Sequence, residues 1–262
     1  MRCPTLVDLP PPPPGRTGWP WTEESPQLPD TMPDGSPWPR VSIVTPSYNQ
    51  GQLIEETIRS VLLQGYPNLE YVIIDGGSTD ASVEIIRRYE PWLDHWVSEP
   101  DGGQVCAIDS GWGRSSGEIL AYLNSDDTYL PGALGSAVQH LHEHPDAAAV
   151  CGGELVIDRD GWVLSTRVPE SATFHDLLQF RFIPQPAVFV RRAALEAAGG
   201  LDTAFPLVFD FELWTRLVHQ GEIRCVPEVF ATTRWYPETK TLSQRPMVIA
   251  GLERVMEKAL AS

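Results

Sequence analysis

Three short apolar runs, each followed at once by a polar cluster, constrain this chain most. Val41-Ser42-Ile43-Val44 stops at Thr45-Pro46-Ser47-Tyr48-Asn49, and Tyr71-Val72-Ile73-Ile74 stops at Asp75-Gly76-Gly77-Ser78. Ile119 to Leu123 stops at Asn124-Ser125-Asp126-Asp127. Runs this short and this apolar read as strands buried on both faces. Between them Leu53, Ile54, Thr57, Ile58, Val61 and Leu62 recur at helical spacing. Val83 and Ile86 belong to a second helix reaching Tyr89, and a third begins near Gln104. His95-Trp96-Val97 supplies one more strand, and Pro131 stands where a first helical turn accepts it. The alternation predicts an α/β fold with a mostly parallel, Rossmann-like sheet flanked by helices.

The rest divides by composition. Residues 1–39 hold Pro10 to Pro14, Trp19-Pro20-Trp21 and Pro37-Trp38-Pro39. Proline denies such a stretch helix and ladder hydrogen bonds, which predicts an extended extension. It reads as a tail lying on its own domain with tryptophans in grooves, or as a docking segment for a proline-recognising partner. Residues 40–150 form the strand-rich half, and 151–242 a smaller, less regular region. There Asp160-Gly161 marks a hairpin, and helices are expected at 171–178, 191–198 and 210–219. An amphipathic helix, about 247 to 260, falls in a C-terminal piece, 243–262.

Charge limits the partners. The 262 residues carry 19 Lys plus Arg against 35 Asp plus Glu, a net charge of −16. A surface that acidic repels phosphate backbones, so nucleic acid is excluded as a partner. A polyphosphate ligand would need a divalent cation or a few well-placed basic groups. Cys3, Cys106, Cys151 and Cys225 form no CxxC pair. The N-terminus has no apolar signal-peptide core, and no run approaches the ~18 apolar residues that span a bilayer. A cytoplasmic protein with at most peripheral membrane contact is expected.

In an open parallel sheet, ligands bind beyond the C-terminal ends of the strands. The three polar clusters would converge there. Paired acids after a buried strand repel each other unless protons or a cation offset them. Oxygen ligands suit Mg²⁺ or Mn²⁺, which take one or two protein carboxylates and fill the remaining positions with phosphate and water.

Val41–Gly51 (VSIVTPSYNQG), Tyr71–Asp80 (YVIIDGGSTD), Ser98–Gln104 (SEPDGGQ) and Gly117–Leu134 (GEILAYLNSDDTYLPGAL) resemble glycosyltransferase family 2, with its GT-A fold. The likeness runs from about residue 40 to 242 with the blocks in order. It implies an inverting transfer of sugar from a nucleotide-diphosphate sugar to a saccharide, lipid-linked or other hydroxyl acceptor, as in bacterial-type polysaccharide or glycoconjugate assembly. By that resemblance Thr45, Pro46, Ser47, Tyr48, Asn49, Asp75, Gly76 and Gln104 would hold the nucleotide. Asn124-Ser125-Asp126 stands at the family's DxD position, with Asp126 as metal ligand and Asp127 assisting. Asp210, in Phe209-Asp210-Phe211-Glu212, matches the catalytic base, kept ionised by the helix dipole; the alternative is a plain helix cap. Tyr236 replaces the family's usual histidine, which leaves Arg234 and Lys240 to neutralise the departing diphosphate.

His140, His142 and His144 alternate along a helix and point apart, so they do not form a metal cluster. Residues 180–189 read either as acceptor-side or as core. Two rival functions remain: a nucleotidyltransferase of similar topology and a non-catalytic nucleotide-sugar-binding protein. Because every candidate site residue follows Pro39, residues 1–39 are expected to be dispensable for chemistry.

Overall fold

The computed structural model describes residues 1–261. Its first half follows the expected alternation. Strands β1 (Val41–Ser47), β2 (Leu69–Asp75), β3 (His95–Ser98) and β4 (Ile119–Tyr122) alternate with helices α1 (Ile54–Leu62), α2 (Ser82–Tyr89) and α3 (Gln104–Arg114). Their sheet order is β3-β2-β1-β4, all parallel. Side chains alternate across the sheet. Val41, Ile43, Leu69, Tyr71 and Ile73 pack with α1 and α2, while Val44, Val72, Ile74 and Leu120 pack with Val105, Ile108 and Trp112 of α3.

The second half contains more strand than its sequence suggests. After β5 (Thr128–Tyr129) and α4 (Ala133–Glu143) come β6 (Ala147–Ile157), β7 (Val163–Arg167), α5 (Phe174–Leu178), β8 (Val188–Arg191), α6 (Arg192–Ala197), α7 (Phe209–Leu217), β9 (Glu222–Arg234), α8 (Lys240–Ser243) and α9 (Arg245–Ala261). The sheet continues β4-β8-β6-β9-β5, with β7 paired to β6 in the expected hairpin. It is parallel from β3 to β4 and mixed beyond, since β8 runs antiparallel to both β4 and β6. Strands β8, β9 and the first half of β6 have no counterpart in the sequence reading. Ala147-Ala148-Ala149-Val150-Cys151-Gly152-Gly153 is poor in residues of high strand propensity. Burial decides instead: a Cβ at Gly152 would come within 2.4 Å of the Phe230 ring, so a small residue lets β9 close over β6.

Residues 1–39 are not a loose tail. Cys3, Leu9, Met32 and Trp38 belong to the principal core, and Trp21 is buried. The segment follows the turn between α1 and β2: Ser25 N donates to Leu63 O at 3.0 Å, and Leu28 N to Gly65 O at 2.9 Å. Gly65 has φ +67, and a Cβ there would lie 2.2 Å from Pro26 O. The strongest tie is Arg59 of α1, only 1% exposed. Its guanidinium donates to Pro10 O (2.8 Å), Pro20 O (3.0 Å), Trp21 O (3.0 Å) and the Tyr89 hydroxyl (3.2 Å). Proline-rich chain cannot pair its carbonyls in a ladder, so one buried arginine serves three of them.

Residues 1–39 therefore carry part of the fold, since their loss would uncover the core and leave Arg59 with only the Tyr89 hydroxyl of these four partners. Arg59→Ala is expected to cost about 2–4 kcal/mol by urea unfolding, because several buried carbonyls lose their donor at once. A change within ~0.5 kcal/mol, the range of ordinary surface substitutions, would contradict this role.

Candidate active site

The C-terminal ends of the parallel strands open on a cavity of about 670 Å³ shared with the second half of the chain. Pro46, Ser47, Tyr48, Gly76, Gln104, Asn124, Ser125, Asp126, Asp127, Asp210, Arg234 and Lys240 all line it. The Ser47 hydroxyl is buried there and makes no hydrogen bond among the described residues.

Three residues expected to bind the donor face elsewhere. Thr45 is fully buried, with its hydroxyl 3.0 Å from that of Tyr71. Asn49 adopts φ 53 and turns its amide oxygen to Thr79 N at 2.9 Å. Asp75 is fully buried, and its carboxylate accepts from Ser78 N (2.8 Å), the Ser78 hydroxyl (2.6 Å) and the Ser98 hydroxyl (2.7 Å). With three donors already on it, Asp75 locks the turn after β2 and joins it to β3.

The acidic pair divides its roles. Asp127 is 3% exposed, and its carboxylate accepts from Arg234 N (2.8 Å) and the Asn124 amide (3.2 Å). Each oxygen takes one hydrogen bond within the protein, and the residue pins the end of β9 to the loop after β4. Asp126 accepts at Oδ2 from the Tyr236 hydroxyl at 2.8 Å, whereas its Oδ1 has no hydrogen bond among the described residues. Burial raises the pKa of both, and for Asp127 the neighbouring Asp126 charge adds to the rise. One open, charge-crowded carboxylate oxygen fits a Mg²⁺ or Mn²⁺ ion shared with a diphosphate, though no group of three or more acidic, His or Cys ligands gathers anywhere among the described residues.

Arg234 also differs from expectation. Its side chain is 2% exposed and is spent on Asp126 O (3.0 Å), Asp158 O (3.2 Å), Arg159 O (2.7 Å) and Glu56 (3.2 Å). It braces the acidic loop from behind, with four of its five N–H donors engaged within the protein. Lys240 is the cation that reaches the cavity. It donates to Gln104 Oε1 at 3.0 Å, and the Gln104 amide in turn donates to Asn124 Oδ1 at 2.6 Å. Burial lowers its pKa, opposed by Asp101 and Asp126.

Asp210 is the second residue of α7, and the cap residue before the helix is Val208, with no side-chain cap bond. The capping alternative therefore falls. No side-chain hydrogen bond engages the Asp210 carboxylate among the described residues, and it faces the cavity. Burial raises its pKa, opposed by the amides of Phe211 and Asp210 itself. Burial thus outweighs the dipole that was expected to hold it ionised, which makes the carboxylate a better proton acceptor once it is charged. The neighbouring Glu212 is structural: Arg216 (2.6 Å) and Lys258 (2.6 Å) hold it and dock α9 on α7.

Gln50, Glu154, Gln185, Thr233, Trp235 and Tyr236 also line the cavity, with Phe182 and Glu238 among others. Of these the sequence reading reached only Phe182 and Gln185, within the stretch 180–189 read as acceptor-side or core. A charged residue inside an apolar run was the one available sign for Glu154, and Tyr236 was marked only as a departure.

With this geometry in place, comparison with known proteins gives the class. The family model described as Glycosyl transferase family 2 matches residues 42–196, and the chain belongs to that family. An uncharacterized glycosyltransferase of Mycobacterium tuberculosis, Rv1514c, is 32% identical over 201 residues, 74% of this chain and 76% of that protein. The putative teichuronic acid biosynthesis glycosyltransferase TuaG of Bacillus subtilis is 30% identical over 223 residues, covering 78% and 86%. Among solved structures, the mannosyltransferase PcManGT of Pyrobaculum calidifontis, in complex with GDP-Man and Mn²⁺, superposes with TM-score 0.69 at 24% identity, covering 89% of this chain and 67% of that one. Staphylococcus aureus TarS 1–349 with UDP-GlcNAc gives 0.64 at 16%, covering 84% and 71%. The fold is GT-A, and the protein is a family 2 glycosyltransferase.

The raised carboxylates have a stability consequence. In the unfolded chain Asp126 and Asp127 ionise near pH ~3.9. Folded, they hold protons to higher pH, so the stability they contribute is lost as pH rises through their folded values. Asp126→Asn removes one of the two charges, and its melting temperature should fall less than that of the wild type between pH 4 and 7 without added metal. Parallel curves would show that the pair carries no such strain.

Proposed function

We propose that this protein is an inverting glycosyltransferase that moves a sugar from a nucleotide-diphosphate sugar to an acceptor hydroxyl. The observation that carries the reading is the Asp210 carboxylate, which takes no side-chain hydrogen bond among the described residues and lines the same cavity as Asp126. A site built only to bind a donor has no need of a free carboxylate with a raised pKa on its far side, which favours catalysis over mere binding.

The donor's nucleotide lies along Pro46, Ser47, Tyr48, Gly76 and Gln104, where the unpartnered Ser47 hydroxyl offers a hydrogen bond. Asp126 would hold a Mg²⁺ or Mn²⁺ ion, which would supply charge neutralisation for the diphosphate. Tyr236 keeps the Asp126 carboxylate oriented by donating to its other oxygen. Asp210 accepts the proton of the acceptor hydroxyl as that oxygen bonds to the anomeric carbon. The bond from that carbon to the phosphate oxygen breaks, and its electron pair leaves with the diphosphate. Lys240, within reach through Gln104, favours the negative charge that develops there.

Similarity to TuaG supports a place in bacterial-type polysaccharide assembly. No helix of the described residues is long and apolar enough to cross a membrane. We place the reaction in the cytoplasm, with any membrane contact peripheral.

Asp210→Asn is expected to lower transfer by ~10²–10⁴-fold with donor affinity nearly unchanged, because an amide cannot accept the proton. Asp126→Asn should weaken both donor binding and turnover. Nucleotide titration beside product formation separates the two, with folding checked by melting. Near-normal turnover in Asp210→Asn would place the base elsewhere.

A further inference from the structure

The second half of the chain lines the cavity with side chains that neither donor binding nor proton transfer uses. Three neighbouring strands present them in a row. Arg167 on β7 is in register with Glu154 on β6, with Nη1 3.4 Å from Oε1, and Glu154 in turn accepts from the Thr233 hydroxyl on β9. Trp235 lies two residues beyond Thr233. Its amide donates to Ile157 O at 2.8 Å, so the extended pairing continues and both residues share a face. The Arg167 guanidinium stands 4.3 Å from the Trp235 ring centroid and 5.0 Å from that of Phe182. Cation–π contact on both sides fixes the two rings. Glu154, Thr233, Trp235 and Phe182 all line the cavity that holds Asp210, and Phe182 is 50% exposed.

This arrangement selects a kind of ligand. An aliphatic chain would gain most from a continuous apolar wall, but here Arg167, Glu154, Thr233 and Glu238 interrupt the rings. A pyranose matches better, because it offers an apolar C–H face to a ring and hydroxyls at its edge to carboxylate and hydroxyl groups. The next residue, Tyr236, bonds Asp126, so the platform is joined directly to the donor side.

We propose that Trp235 and Phe182, braced by Arg167 beside the Glu154–Thr233 row, form the acceptor subsite, and that the acceptor is a saccharide whose ring stacks on Trp235. This rests on the transferase reading, which hydrolysis of nucleotide sugars by the wild type tests separately.

The experiment is saturation-transfer NMR on the full chain, with methyl hexopyranosides and with 1-hexanol as an alcohol lacking a ring. The pyranoside C–H protons should receive saturation in the wild type. Affinity should weaken ~5–10-fold in Trp235→Leu, the scale of one aromatic contact, and largely persist in Trp235→Phe. Arg167→Met, which frees the rings, should fall between. Phe182→Leu replaces a half-exposed ring without disturbing the core, so it reads the same platform should Trp235→Leu fail to fold. Unchanged pyranoside affinity in Phe182→Leu and in whichever Trp235 variant folds would overturn the proposal, as would saturation of hexanol with none of the pyranosides.

Discussion

Asp126 and Asp127 carry adjacent carboxylates at the buried end of β4, and much of the surrounding structure exists to hold them there. Glu56 and Glu154 add further negative charge nearby, yet Arg234 is the one guanidinium buried among these groups. It donates to the Asp126 carbonyl and pairs with Glu56, while its amide donates to Asp127. A single residue at the end of β9 thereby ties α1, the loop after β4 and the second half of the chain together. These bonds offset much of the cost of burying the pair and leave Asp126 Oδ1 as its open acceptor among the described residues.

The two chain ends strengthen the same frame from outside. Residues 1–39 clasp α1 through Arg59 and reach β5, where the Trp19 indole donates to Tyr129 O at 2.8 Å. At the other end, Lys258 of α9 grips Glu212 and so fixes α7, the helix that presents Asp210. Asp210 and the acidic pair come from opposite halves of the chain, and their separation depends on how well these braces hold. Rigid support of this kind keeps reacting groups in place without being part of the chemistry.

The first four strands, their helices and the converging polar clusters were legible because a buried parallel strand leaves an uninterrupted apolar run. The strands of the second half were not, since alanine and glycine in β6 and Pro227 and Glu228 in β9 hide them, and tertiary burial makes them strands. Asp126, Asp210, Gln104 and Lys240 were found at the cavity. Asp75, Thr45, Asn49 and Arg234 turned out to be bonded within the protein, which the sequence did not show for one shared reason: residue type and position show that a polar group lies near a strand end, but not whether protein donors and acceptors already engage it. Trp235 and Glu154 were missed because an aromatic or acidic residue within a strand carries no motif.

The account stands on Asp126 presenting an open oxygen to a cation that a donor diphosphate shares. Calorimetric titration of UDP and GDP into the full chain, once with Mn²⁺ and once with EDTA, tests this directly. With few basic groups at the cavity, binding of at least one nucleotide should appear with Mn²⁺ and be lost in EDTA, and Asp126→Asn should abolish the difference. Equal affinity in both conditions would contradict the account and leave Lys240 and backbone amides to hold the diphosphate.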